Sequence, residues 1–162
     1  MIFFFDLDGT LRKTKSGAKF INKPDDQQPI EGASQAVTYY ASKGFTCIGI
    51  TNQAGVAAGH KSIKEAVEEQ IITLALFPEL DSIYFCPDFE GKDCWVVNGR
   101  HDPEEIRAAE KWTGTYRKPG NGMLYLAAAI AHDWAGDLEL TSDDWMTGDR
   151  PEDFECALIS RS

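Results

Sequence analysis

The first ten residues constrain this chain most. Ile2-Phe3-Phe4-Phe5 is an unbroken apolar run of strand length, and it stops abruptly in Asp6-Leu7-Asp8-Gly9-Thr10. A short apolar run of this kind fits a strand covered on both faces. The pattern then repeats. Phe45 to Ile50 is a second run ending in Thr51-Asn52-Gln53, and Ile83 to Phe85 is a short third. Trp145-Met146-Thr147 is a fourth, leading into Gly148-Asp149-Arg150-Pro151-Glu152-Asp153. Helical signals lie between the runs. Ala33, Ala36, Val37, Tyr40 and Ala41 recur at helical spacing, with Gly44 as a stop. Ser62-Ile63-Lys64-Glu65 is a capping box ahead of a helix with Ala66, Val67, Ile71 and Leu74 on one side. Gly122 to Trp134 is rich in Ala and Leu, and Pro151 suits the first turn of a last helix. Strands alternating with helices predict an α/β fold, a doubly wound parallel sheet with helices on both faces.

The chain has 162 residues, which suits one domain over 1–162 and leaves little room for a second. Residues 86–119 are less regular, although Pro103 to Trp112 has helix-forming composition, and they are expected to form an elaborated loop. No apolar run approaches the ~18 residues of a membrane span, so no membrane partner is expected. The start of the chain lacks the basic flank and cleavage site of a signal peptide. Four scattered cysteines do not make a disulfide framework, so a reducing, cytoplasmic location is expected. The formal net charge of −10 argues against extended duplex binding, which needs basic surface. That charge is uneven. Arg12, Lys13, Lys15, Lys19 and Lys23 form a stretch with no acid. It reads first as a solvated loop, but its place directly after the paired aspartates also suits attraction of a polyanionic substrate.

In open α/β sheets, ligands bind beyond the carboxyl ends of the strands, so the polar clusters should converge there. Asp6 and Asp8, one residue apart at a strand end, would repel each other unless a cation were present. An oxygen-rich site with one or two carboxylates suits Mg²⁺, and Gly9 permits the tight turn beside it. One such aspartate can attack phosphorus while the other moves protons. Asp149 would add metal charge, Thr51 a hydroxyl and Lys118 a cation for phosphoryl oxygens.

Asp6-Leu7-Asp8-Gly9-Thr10, Thr51-Asn52-Gln53, Lys118 and Gly148-Asp149…Asp153 together, in this order, resemble the four motifs of the haloacid dehalogenase-like phosphohydrolases. The resemblance covers residues 2 to 158. It implies Asp6 as a nucleophile that forms an aspartyl-phosphate, and Asp8 as general acid and then base. It also implies Mg²⁺ held by Asp6, the Asp8 backbone carbonyl and Asp149. Thr51 and Lys118 would stabilise the transferring phosphoryl group, and Thr10, Asn52 and Arg117 would contact phosphate or substrate. Asp153 either orients Lys118 or is a solvated first-turn carboxylate; Asp149 also suits a helix N-cap.

Thr51-Asn52-Gln53 and Arg117-Lys118-Pro119 are similar to the branch without a large cap domain. That branch holds histidinol phosphatase, heptose bisphosphate phosphatase and the 3′-phosphatase domain of polynucleotide kinase-phosphatase. Thr14 to Phe20 and Tyr116-Arg117-Lys118-Pro119 resemble the polynucleotide enzyme, whereas Asp149 to Asp153 resembles the small-metabolite enzymes. The resulting expectation is a phosphomonoesterase acting on a 3′-phosphorylated nucleic-acid end. The alternative is a small phosphometabolite such as histidinol phosphate or a sugar phosphate. A phospho-acceptor signalling domain is a rival of another class, but its accepting aspartate lies in mid-chain.

Relatives in this branch carry a Cys-x-His…Cys-x-Cys zinc loop. Most of those ligands are missing here, which leaves Cys86, Cys94 and His101 as a weaker rearranged set. Phe89, Trp95, Trp112 and Tyr116 read as packing for the long loop before they read as a platform for a base. Such relatives usually continue from the last helix into another edge strand. The sheet is therefore expected to be one strand short, or the chain cut short.

Overall fold

The computed structural model describes residues 1–100, 102–105, 112–132 and 140–159. Its first strand, β1 (Ile2–Asp6), is buried along its whole length. Successive side chains of a strand point to opposite faces, and β1 uses both. Ile2 and Phe4 join Ile48, Ile50, Tyr84, Met123, Leu124 and Cys156 on one face. Phe3 and Phe5 join Leu7, Val37, Phe77 and Ile83 on the other.

Two short strands follow, β2 (Arg12–Lys13) paired antiparallel with β3 (Gln28–Pro29) across a long connection. Then come α1 (Ala33–Ser42), β4 (Thr46–Asn52), α2 (Ile63–Leu76) and β5 (Leu80–Cys86). The remaining elements are β6 (Trp95–Asn98), β7 (Glu104–Glu105), α3 (Gly122–Ala131), β8 (Trp145–Thr147) and α4 (Pro151–Ile159). Among the described residues six strands form the main sheet, in the order β7-β6-β5-β4-β1-β8. β1 runs parallel to β4 and β8, and β4 parallel to β5. The carboxyl ends of these four strands therefore open on one edge of the sheet. Helices α1 and α2 cover the Phe3/Phe5 side, whereas α3 and α4 cover the Ile2/Phe4 side.

The α/β architecture with helices on both faces is as expected. The sheet is not wholly parallel, because β6 and β7 add to it antiparallel. These two strands come from the stretch expected to be a loop. Trp95-Val96-Val97 has strand-forming side chains, but only three of them, between Asp93, Cys94 and Asn98. Within the proposed helix from Pro103 to Trp112, Glu104–Glu105 is a strand, and residues 106–111 lie outside the described residues.

Helix α2 keeps part of its expected face, with Ala66 buried and Val67 and Leu74 packed against the core. Ser62 caps it, its hydroxyl accepting the Glu65 N–H at 3.1 Å. Ile71, however, is exposed, and the face turned inward is Ala66, Glu69, Gln70 and Thr73. Buried polar groups need partners, and Arg12 supplies them. It belongs to no solvated basic loop, being fully buried, whereas Lys13, Lys15, Lys19 and Lys23 are exposed.

A glycine lies at the centre of the sheet. Gly49 pairs with Phe5 on one side and Ile83 on the other. A Cβ there would come within 3.0 Å of both Leu7 and Ile83 side chains, so the missing side chain makes the space that Leu7 fills.

Candidate active site

The residues singled out in the sequence meet at the carboxyl edge of β1, β4 and β8. Asp6 ends β1 and Thr51 lies near the end of β4, one residue beyond the Asp6–Ile50 pairing. Asp8 and Asp149 follow β1 and β8. Lys118 arrives from the loop before α3, and Asn52 holds it there. The Asn52 side-chain carbonyl accepts the Lys118 backbone N–H at 2.9 Å, and its amide donates to the Lys118 carbonyl at 3.2 Å. Asn52, expected to meet phosphate or substrate, lines the cleft above the site and also positions Lys118.

The Lys118 ammonium lies between two carboxylates, 2.6 Å from Asp6 Oδ1 and in contact with Asp153 Oδ1. All three side chains are buried. Burial alone would lower the Lys118 pKa, but Asp6 and Asp153 outweigh it and keep the group above its ordinary value. Burial pushes the Asp6 carboxyl up to about 6, against the pull of Lys118. Asp153 also accepts the Arg150 backbone N–H at 3.1 Å, so it fixes both Lys118 and the entry to α4. It is no solvated carboxylate. Asp149 precedes α4 by two residues, and its carboxylate faces Gly9 instead.

The Thr10 hydroxyl lies 3.1 Å from Asp6 Oδ2 and 3.5 Å from Asp149 Oδ1. Thr51 Oγ1 is 3.4 Å from Asp8 Oδ2. The Asp8 carboxylate is 42% exposed and paired at 3.0 Å with Arg12. Burial would raise its pKa, but the Arg12 guanidinium more than offsets this and holds it below the ordinary value. An ionised Asp8 suits the proton-accepting half of a hydrolytic cycle.

The donor set fits a hard divalent cation. Asp6, Asp149 and Asp153 each offer an oxygen within 4.8 Å of the others. Asp153 has one oxygen on Lys118 and the other on the Arg150 backbone N–H, which leaves Asp6 Oδ2 and Asp149, both beside the Thr10 hydroxyl, as the better pair. One or two carboxylates plus water are what Mg²⁺ takes. Gly9 has φ +85°, and a Cβ on it would overlap Asp149 Oδ2. The cradle therefore requires the missing side chain.

Above these groups opens a cleft of about 590 Å³, walled by the 8–22 segment, the 52–61 loop, Phe89 with Arg117, and 149–152. Arg117 lies over the Phe89 ring, 5.5 Å from its centroid, and among the described residues its Nη1 has no hydrogen-bond partner. Lys19 and Arg150 also line the cleft. Of the rearranged zinc set, Cys86 and Cys94 are buried thiols, and Cys86 Sγ lies 3.5 Å from the Asp88 carbonyl. His101 lies outside the described residues.

Behind Asp8 lie Gln53, singled out in the Thr51-Asn52-Gln53 motif without a role, and three groups that sequence reasoning missed: Lys61, Glu69 and Gln70. Their signal was faint. Ala66, Gln70, Thr73 and Phe77 recur at helical spacing, and the middle of that stripe is polar. Polar residues at such spacing, framed by buried apolar ones, mark an interior network.

A mostly parallel sheet with paired aspartates after its first strand and a lysine between carboxylates is the arrangement of the haloacid dehalogenase-like phosphatases without a large cap. Comparison with known proteins agrees. Residues 1–150 match the family described as polynucleotide kinase 3 phosphatase, and the chain belongs to that family. It is 32% identical over 159 residues to a D-glycero-D-manno-heptose-1,7-bisphosphate 7-phosphatase of Thermosynechococcus vestitus, covering 95% of this chain and 71% of that one. A D-glycero-beta-D-manno-heptose-1,7-bisphosphate 7-phosphatase of Yersinia pestis is 30% identical, covering 97% and 74%. The crystal structure of a D,D-heptose 1,7-bisphosphate phosphatase from B. bronchiseptica, complexed with magnesium and phosphate, superposes with TM-score 0.63 at 22% identity. That match covers 99% of this chain and 76% of the other. The protein is a phosphoric monoester hydrolase of this superfamily. No helix among the described residues is long and apolar enough to cross a membrane.

Proposed function

We propose that this protein removes a phosphoryl group from a small phosphorylated sugar, of the sugar-bisphosphate kind, through an aspartyl-phosphate on Asp6. The observation that carries this reading is the cleft. Its floor presents Asp8 and Asp149, with Asp6 and Lys118 beneath, and its walls present Lys19, Arg117 and Arg150 to a second negative group. The curated relatives that act on heptose bisphosphates point to the same substrate class. The 3′-end reading drawn from Thr14 to Phe20 has no such support from them.

In the first step an Asp6 carboxylate oxygen attacks phosphorus. The bond from phosphorus to the ester oxygen breaks, and Asp8 gives that oxygen a proton so that it leaves as an alcohol. In the second step water attacks the aspartyl-phosphate and Asp8 takes a proton from it. The bond to Asp6 then breaks, releasing inorganic phosphate. Lys118 and Thr51 donate to the phosphoryl oxygens, while the Thr10 hydroxyl donates to Asp6 Oδ2 and holds that carboxylate in place. The Asp6 and Asp149 carboxylates and the Asp8 carbonyl would hold Mg²⁺, which would supply positive charge for the phosphoryl oxygens.

The test is phosphate release with Mg²⁺ from a panel of heptose and hexose bisphosphates, their monophosphates, histidinol phosphate and a 3′-phosphorylated oligonucleotide. Preference for a bisphosphate supports the reading. Preference for the oligonucleotide overturns the substrate class, and one-shot labelling without turnover overturns the hydrolase.

A further inference from the structure

Asp8 is held by a closed ring of side chains that nothing in the proposed chemistry requires as such. From Asp8 Oδ1 the ring passes to Arg12 Nε at 3.0 Å, and from Arg12 Nη2 to Glu69 Oε2 at 2.7 Å. Glu69 Oε1 accepts from Lys61 Nζ at 2.7 Å, and Lys61 Nζ also donates to Gln53 Oε1 at 2.8 Å. Gln53 Nε2 closes the ring with a looser contact to Asp8 Oδ2 at 3.4 Å, while donating to Thr51 Oγ1 at 3.0 Å. Both oxygens of one carboxylate are thus tied, by separate routes, to both oxygens of another.

The linking groups have no freedom left. A guanidinium has five N–H donors in a rigid plane. In Arg12 all five are used, by Asp8 Oδ1 and Oδ2, Glu69 Oε2, Gln70 Oε1 and Thr73 Oγ1. An ammonium has three donors, and in Lys61 they go to the Ile21 carbonyl, Gln53 and Glu69. Arg12 and Glu69 are almost completely buried, and Lys61 nearly so, yet Asp8 stays open to the cleft. Stability alone is a weak reason for such a cluster, since buried ion pairs replaced by apolar groups of similar volume are often no less stable. A network that fixes one exposed carboxylate has a different use.

We propose that Glu69, acting through Arg12 on one side and Lys61 with Gln53 on the other, is a positioning residue that sets the plane and direction of the Asp8 carboxylate for proton transfer. This rests on the reading of Asp8 as the proton-transfer group. A fixed donor and acceptor is needed because general acid–base catalysis demands hydrogen-bond reach in the transition state.

The test uses leaving groups that differ in their need for a proton. 4-Nitrophenolate leaves without one and an alkoxide does not. In Glu69→Gln, kcat for an alkyl phosphate should fall about 10- to 100-fold, part of the roughly 10²–10⁴ that general acid–base catalysis supplies, with KM within about threefold. With 4-nitrophenyl phosphate in stopped flow, the variant should still release close to one nitrophenol per protein rapidly, then turn over slowly as aspartyl-phosphate accumulates. A burst reduced in proportion to folded protein, with both substrates slowed equally, overturns the proposal and leaves Glu69 a structural residue. Gln53→Met removes the other arm without leaving Glu69 unpaired, and it decides the matter if Glu69→Gln does not fold. Asp8→Asn separates the two claims. If it shows the burst and the ring variants do not, only the positioning role fails. If Asp8→Asn itself shows no burst, the assignment of Asp8 is wrong.

Discussion

Replacing Asp6 by asparagine should abolish turnover and, in the absence of metal, make the protein more stable. Burial raises the Asp6 pKa from its ordinary 3.8 to about 6 even with Lys118 beside it. A carboxyl whose folded pKa is raised binds more protons folded than unfolded across that interval. Its contribution to stability is complete below pH 3.8 and is lost as pH rises through about 6. Above that range the loss is about 3 kcal/mol, at about 1.4 kcal/mol for each tenfold change in proton affinity. Asparagine mimics the protonated form at every pH. In chelator at pH 7.5, Asp6→Asn should therefore melt higher, by roughly 6–12 °C, taking about 2–4 °C per kcal/mol for a chain of this size. At pH 3.5 the two proteins should melt together. Thermal unfolding at several pH values, with phosphate release in parallel, reads both effects. An unchanged or lower midpoint at pH 7.5 would refute the claim that burial opposes ionisation of Asp6, as would a gain that persists at pH 3.5. Substantial remaining activity would refute its role as nucleophile.

Two further outcomes follow from the same geometry. Gly9→Ala places a Cβ against Asp149 at a φ that costs an L-residue roughly 1–2 kcal/mol, and displacement of Asp149 at a similar cost should raise the Mg²⁺ needed for half-maximal activity about 5- to 30-fold. A Mg²⁺ titration of phosphate release checks this, and an unchanged requirement would count against Asp149 as a ligand. Arg117→Ala should raise KM for a sugar bisphosphate about 10-fold, the value of one charge-assisted hydrogen bond, while changing that for the matching monophosphate less than about twofold. Equal changes would remove Arg117 as the contact for the second charge.

The sequence revealed the strands and the floor of the site for a common physical reason. A strand buried on both faces must be continuously apolar, so the polar residues at Asp6, Thr51 and Asp149 stand out where each strand stops. Lys118 was legible only in company, since a lone lysine carries no pattern. What hydrophobicity could not show was the interior of α2. Arg12 and Lys61 look like surface cations, and Glu69 and Gln70 like a solvated face; their burial follows from mutual satisfaction, which composition does not record. Asn52 was legible as a polar residue at a strand end, but its use on the Lys118 peptide depends on a loop 66 residues away. The antiparallel strand β6 escaped because three β-forming residues among polar neighbours give too short a pattern.

Leu7, between the two aspartates, has no accessible surface, and it fills the space left by the missing side chain of Gly49. The pair of carboxylates is thus carried by a residue that belongs to the core. Any attempt to stiffen the sheet by adding volume at position 49 would lift Leu7 and turn Asp6 and Asp8 with it. A library selected for heat resistance alone would not see that loss, so the packing at 49 has to be screened by turnover as well. In this protein, thermal hardening and retention of catalysis meet at one missing methyl group.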